Sequence, residues 1–158
     1  MSIKRVRPTK KSKFIQGYFK PNYPEKYAGP QPIIYRSSWE RKFMMWCDKN
    51  ELILTWSSEP VEVPYWSKLH NKQRKYYPDF YIKVKKHDGT IDHMLIEIKP
   101  EAQIKKPEPP TTNSQKALKN YKFLAEQYVV NRDKYMAAQQ YAIDRGWRFA
   151  VMTENSLK

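Results

Sequence analysis

The chain has 158 residues, 40% of them hydrophobic and 15% aromatic, which excludes a disordered chain and suits one globular domain. Its 30 Lys and Arg outnumber 16 Asp and Glu, leaving a net charge of +14. Such a charge calls for a polyanionic partner, with nucleic acid the first candidate and an acidic membrane surface the second. No segment approaches the roughly 18 apolar residues of a spanning helix, so no membrane partner is expected. The N-terminus lacks the apolar core of a secretory signal, and Cys47 alone cannot form an internal disulfide, so a reducing cytoplasm is expected.

Residues 1–13 carry Lys4, Arg5, Arg7, Lys10, Lys11 and Lys13 and no acid. They read either as a frayed terminus or, the expectation here, as an arm laid along phosphates that gains affinity by releasing counterions. Phe14 to Tyr35 is rich in Tyr and Pro and is expected to be irregular, pinned by its aromatics. A docking surface for another protein would read the same way. Residues 1–36 thus form a basic, Tyr/Pro-rich N-terminal extension.

Ser37-Ser38-Trp39-Glu40 opens a helix predicted to run to about Asn50, with Trp39, Phe43, Trp46 and Cys47 on one stripe. Ser37 and Glu40 make a capping box, in which the Glu reaches back to the N-cap amide. Leu52–Trp56 and Val61–Trp66 are predicted strands, separated by a turn at Ser57–Pro60. Ser67–Lys75 reads as a polar loop. Its Lys68, His70, Lys72, Arg74 and Lys75 are either solvated or placed to grip phosphates.

Tyr76 to Pro100 is the stretch around which the chain is organised. Phe80, Ile82 and Val84 alternate with Tyr81, Lys83 and Lys85, and Met94, Ile96 and Ile98 alternate with Leu95, Glu97 and Lys99. Asp88-Gly89 between the two runs signals a hairpin. A two-residue loop would pair Asp79 with Ile98 and put Asp79 and Glu97 on opposite faces. A bulged or odd-length turn is therefore predicted, with Asp79 facing Lys99 and Tyr81 facing Glu97, so that the polar groups converge.

Pro100 ends the second strand, and Lys105–Pro110 is a proline-rich loop. Thr112 or Asn113 is expected to cap a helix with Ala117, Tyr121, Leu124 and Tyr128 on one face. The pattern resumes at Met136, Ala138, Tyr141 and Ala142 after a predicted break at Val129–Asn131. Gly146 suits a C-cap, and Trp147–Thr153 reads as a last, largely buried strand.

Asp79 and Glu97, brought together by a rigid hairpin, are hard oxygen ligands suited to Mg²⁺. Phosphodiester hydrolysis needs a cation to neutralise phosphoryl charge and activate water, and Lys99 could lower the pKa of that water or stabilise developing charge. On the plainer reading, Asp79 caps a strand entry while Glu97 and Lys99 are ordinary strand residues.

With Pro78-Asp79 on one arm, Glu97-Ile98-Lys99 on the other, Glu40 on the preceding helix and a helix–strand unit after them, the sequence resembles the PD-(D/E)XK nuclease superfamily from Ser37 onward. It is similar to the N-terminal nuclease domain of TnsA-type transposases, and closer still to the small head completion nucleases of tailed phages. The resemblance implies an α/β, restriction-endonuclease-like domain over residues 37–158, a mixed sheet flanked by helices. It implies a Mg²⁺-dependent DNA endonuclease, with Mn²⁺ as a substitute, that processes DNA at the filled head. It carries Asp79, Glu97 and Lys99 over as the catalytic core and adds Glu40 as a further carboxylate at the metal. The expected partners are double-stranded DNA, capsid or portal proteins, and a second copy of the chain for double-strand cutting. The expected place is the cytoplasm of the infected host cell, or the virion. Four other readings stay open: a junction-resolving nuclease, a transposase-type nuclease, a non-catalytic DNA-binding virion structural protein, and a His-metal nuclease using His70-Asn71 and His93.

Overall fold

The computed structural model describes residues 16–156; the basic residues Lys4 to Lys13 lie outside them. Four strands form the central sheet: β3 (Ile53–Ser58), β6 (Phe80–Lys85), β7 (Ile91–Ile98) and β8 (Arg148–Met152), adjacent in that order. β3, β6 and β7 run antiparallel to their neighbours, while β8 joins β7 in parallel, so the sheet is mixed.

The alternation of each strand sorts its side chains between two layers. On one face Phe80, Ile82, Ile96 and Ile98 meet Phe43, Met44 and Cys47 of helix α1 (Ser38–Lys49), with Ile53 and Trp56 closing the layer. On the other, Val63, Tyr65, Tyr76 and Ala138 cluster with Tyr135, Tyr141 and Phe149. This second layer joins helix α3 (Gln115–Asp144) to a separate hairpin of β4 (Val63–Ser67) and β5 (Lys72–Tyr76). In β8 the split is visible residue by residue: Ala150 and Met152 pack with the first cluster and Phe149 with the second. Burying a Phe80 or Ile96 side chain contributes roughly 1.5–3 kcal/mol.

The N-terminal segment is irregular, as its prolines predict, with a two-residue pairing of β1 (Gly17–Tyr18) with β2 (Ile34–Tyr35). Phe19 and Tyr27 both pack edge-on against Trp56, at 5.9 and 4.7 Å between ring centroids. Lys26 caps the far end of α1, where its Nζ donates to the carbonyls of Cys47, Asp48 and Asn50 at 2.6, 3.0 and 2.8 Å. The buried Asp48 carboxylate accepts from the amides of Asn22 and Tyr23 at 2.8 and 2.9 Å.

Several predicted details change. Ser67–Lys75 is not a loop throughout: Lys72–Tyr76 pairs with β4, and its strand pattern is masked because most of β5 faces solvent. In α1 the buried stripe takes Met44 and leaves Trp46 41% exposed, its ring tilted against that of Phe43 at 5.6 Å between centroids. α3 starts from Ser114, whose hydroxyl accepts from the Ala117 amide, not from Thr112 or Asn113. It runs through Val129–Asn131 without a break, since Val130 is buried and no Gly or Pro interrupts it. Met136 is 61% exposed and lies off the packed face. β8 is an edge strand, half-buried rather than largely buried. Gly146 ends α3 as expected, at φ +70, with its own amide bonded to Ile143 O and the Trp147 amide bonded to Ala142 O.

Candidate active site

The β6–β7 turn sets the site. Lys86 N donates to Thr90 O at 2.8 Å, leaving a three-residue loop His87–Gly89 with Gly89 at φ +85. The predicted odd-length turn is present, but it is centred one residue earlier than expected. The Asp88 carboxylate accepts from the Thr90 amide at 2.9 Å and from its hydroxyl at 2.6 Å, which pins the centre at Asp88. Phe80 therefore pairs with Ile96 and Tyr81 with Leu95. The expected pairings of Asp79 with Lys99 and of Tyr81 with Glu97 do not form. Extended by one residue, the register sets Asp79 against Glu97 on the same face.

Both carboxylates sit where β6 begins and β7 ends, in the middle of the sheet. Asp79 Oδ2 accepts from the Ile98 amide at 2.8 Å, and Asp79 O accepts from the Glu59 amide at 2.8 Å. Glu97 is buried, with Lys99 Nζ 3.9 Å from its Oε1 and the Tyr76 hydroxyl donating to its Oε2 at 2.5 Å. Lys99 is anchored through its own amide to Met152 O of β8.

Electrostatics follow from this enclosure. Burial, then the charges of Glu97 and Glu40, hold the Asp79 carboxyl well above the usual carboxylate range, against the Ile98 amide and Lys99. Burial raises Glu97 as well, opposed by the Tyr76 hydroxyl, Lys99 and Lys134. Two buried carboxyls held toward protonation, Asp79 by the charges of Glu97 and Glu40 as well as by burial, form a site short of positive charge.

Glu40 stands in the first turn of α1. The Ser37 hydroxyl accepts from the Glu40 amide at 3.1 Å, but the Glu40 carboxylate accepts from Arg36 N at 2.9 Å rather than from Ser37 N. The capping box is thus displaced by one residue. Burial raises the Glu40 carboxyl, and the charges of Glu59 and Glu97 add to the rise. Arg36 also pairs with Glu59 at 2.7 Å.

Of the basic residues of the β4–β5 hairpin, Lys72 and Arg74 share the face of Tyr76, which leads to Glu97. Lys75 points the other way and pairs with Glu62 at 3.1 Å. Lys68 Nζ lies 3.7 Å from Asp133, and His70 Nδ1 lies 2.9 Å from both Ser67 Oγ and Arg74. His93 is engaged elsewhere, 2.5 Å from the Tyr81 hydroxyl and stacked on Trp147.

Two residues of α3 join the site without having been singled out. Lys134 Nζ sits 5.6 Å from the centroid of the Tyr76 ring, and burial followed by the charge of Lys99 lowers its pKa. The Tyr135 hydroxyl is buried with no hydrogen-bond partner among the described residues, and the charges of Glu97 and Asp79 act on it. A signal existed for Lys134: with Val130, Ala138 and Ala142 it falls at four-residue spacing, a cation on the packed stripe of a helix.

Among the described residues no three His, Cys, Asp or Glu side chains are grouped closely enough to hold one ion. Asp79 and Glu97 would supply two oxygen ligands, and solvent the rest. That donor set suits a hard cation that keeps several waters.

A family model, the TnsA-like endonuclease N-terminal domain, matches residues 50–154. This chain belongs to that nuclease family. The match takes in β3 through β8 with Asp79, Glu97, Lys99 and Lys134; Glu40 precedes its start. A relative, the head completion nuclease of Enterobacteria phage T4, is 36% identical over 143 residues, covering 90% of this chain and 93% of the relative. No solved structure matches the chain. The sheet flanked by helices is that of a restriction-endonuclease-like nuclease, as the sequence led us to expect.

Proposed function

We propose that this chain is a Mg²⁺-dependent DNA endonuclease that acts during phage head completion. The observation that carries the reading is the opposition of Asp79 and Glu97 across the two central strands, with Lys99 3.9 Å from Glu97. A bound divalent cation would supply charge neutralisation at the phosphoryl oxygens and an activated water. Asp79 and Glu97 hold that cation, and Mn²⁺ can take its place. Tyr76 fixes the rotamer of Glu97 through its hydroxyl, and Lys134 helps keep Glu97 ionised. Lys99, 26% exposed at its side chain, reaches the attacking water or the charge that grows on the phosphate. Glu40 adds negative potential at the edge of the site, as a ligand or through bound water.

The DNA path starts at Lys72 and Arg74, which lie on the face leading to Glu97; Lys68, His70 and Lys75 of the same hairpin, and the basic residues Lys4, Arg5, Arg7, Lys10, Lys11 and Lys13, are the further phosphate contacts of this reading. Similarity to a head completion nuclease, 36% identical across nine-tenths of the chain, supports a role in the infected host cell or the virion, with capsid or portal proteins as partners and paired chains for double-strand cuts.

The test is cleavage of supercoiled and linear duplex DNA with Mg²⁺ or EDTA, comparing wild type with Asp79→Ala and Lys99→Ala. Loss of cutting in EDTA and in both variants, with DNA binding retained, is the expected result. Binding without any cutting by the wild type would leave a non-catalytic DNA-binding protein, and a preference for branched over linear duplex would make it a junction-resolving nuclease.

A further inference from the structure

Beside the carboxylates lies a cavity of about 510 Å³ that the chemistry above does not use. Lys99 forms one wall, α2 (Glu101–Ile104) and the proline-stiffened Lys105–Pro110 loop form another, and the first half of α3 forms the third. Its volume is in the range of small-ligand pockets, roughly 300–1,000 Å³. Phe123 and Tyr128 give it aromatic surface, and Phe123 is 58% exposed. Lys99, Lys105 and Lys106 outnumber Glu108, the acid in the lining, and Asn131 adds an amide.

We infer that this cavity holds one unpaired nucleotide of the DNA strand being cut. Aromatic rings ringed by ammonium groups match a base with its phosphates: the π-face stacks, the lysines take the charge, and the amide reads a base edge. An apolar peptide would have no use for three lysines. Because Lys99 belongs to both the cavity wall and the Glu97 pair, the nucleotide held there is a near neighbour of the scissile phosphate. A paired base is kept in its stack, so the substrate class favoured is DNA with an unpaired nucleotide at the cut: a flap, gap, fork or end. This rests on the nuclease reading of Lys99.

The experiment measures binding of the full chain, in EDTA, to a fully paired duplex and to a duplex of equal length with a short single-stranded flap. Stacking of one base is worth about 1–3 kcal/mol, so the flapped duplex should bind about 5- to 150-fold tighter. Phe123→Ala and Tyr128→Ala should each remove most of that preference and leave the affinity for paired duplex unchanged. On wild-type protein, 5-bromodeoxyuridine in the flap should crosslink to the peptide carrying residues 123–128. Equal affinities, a preference that survives both substitutions, or a crosslink mapped elsewhere would overturn the inference; a face that docks a protein would give the first of these. Cleavage of paired duplex in Mg²⁺ separates the two readings. Wild type that cuts without preferring flaps sinks the pocket alone, whereas wild type that prefers flaps but cuts nothing sinks the nuclease reading, and with it the placement beside a scissile phosphate, and leaves only a nucleotide-binding cavity.

Discussion

Tyr76 donates its phenolic proton to Glu97 at 2.5 Å from a hairpin that is not part of the central sheet. The β4–β5 unit therefore does more than cover one face: it orients a carboxylate at the end of β7. Tyr76→Phe keeps the ring in its cluster and removes the donor. Cleavage should fall about 10- to 100-fold, with a higher Mg²⁺ requirement, while the thermal midpoint stays close to wild type. Titrating Mg²⁺ against cleavage rate checks this; an unchanged metal requirement would reduce Tyr76 to packing.

Asp79 is costly to the metal-free protein. Its carboxyl titrates above the ordinary range because burial and the charges of Glu97 and Glu40 disfavour the anion. The folded state therefore binds protons that the unfolded chain has already released, and stability is lost as pH rises through the folded pKa. In EDTA the melting temperature should fall as pH rises above the ordinary carboxylate range. Mg²⁺ should restore more of it at the higher pH, by binding only the folded state. Asp79→Asn, which keeps an acceptor for the Ile98 amide, should melt higher than wild type without metal, by about 2–4 °C for each 1 kcal/mol recovered.

Ser37 and Glu40 separate capping from catalysis. Ser37→Ala removes the acceptor for the Glu40 amide and should cost about 1 kcal/mol of stability with cleavage retained. Glu40→Gln keeps an acceptor for Arg36 N and removes the charge. If Glu40 acts at the metal, cleavage drops and stability does not. Urea melts paired with cleavage rates would show the contrast, and two variants with the same profile would contradict it.

Lys26 makes three charge-assisted bonds to the last carbonyls of α1, and Lys26→Met removes them all. A loss of about 1.5–3 kcal/mol in a denaturant melt is expected, with the Mg²⁺ dependence of cleavage unchanged.

Much of this architecture is written locally. The α1 cap at Ser37, the alternation of β6 and β7, and the Gly146 stop all rest on neighbours within a few residues, and the chain spells them out. The pairing that sets Asp79 against Glu97 is a different matter. It depends on which residue centres the turn, decided by one Asp88–Thr90 interaction that composition does not announce. β5 is hidden in the sequence because its charged side chains face solvent, and in α3 the Val-Val-Asn step suggests a weak point that tertiary packing overrides. Tyr76 and Lys134 meet Glu97 only through the fold, from a hairpin and a helix far apart in sequence.

The three-residue loop at His87–Gly89 has a consequence for how this gene can change. Side-chain direction along a strand is a matter of odd and even, and the tip of the β6–β7 hairpin fixes that parity for both carboxylates at the other end. A single-codon deletion at the tip, in an exposed turn where length changes are otherwise tolerated, would turn Asp79 and Glu97 to opposite sides of the sheet unless a new bulge absorbed the slip. Length variation in this turn is thus quantised in pairs, and the most permissive-looking loop of the hairpin is a frame-keeper for its chemistry.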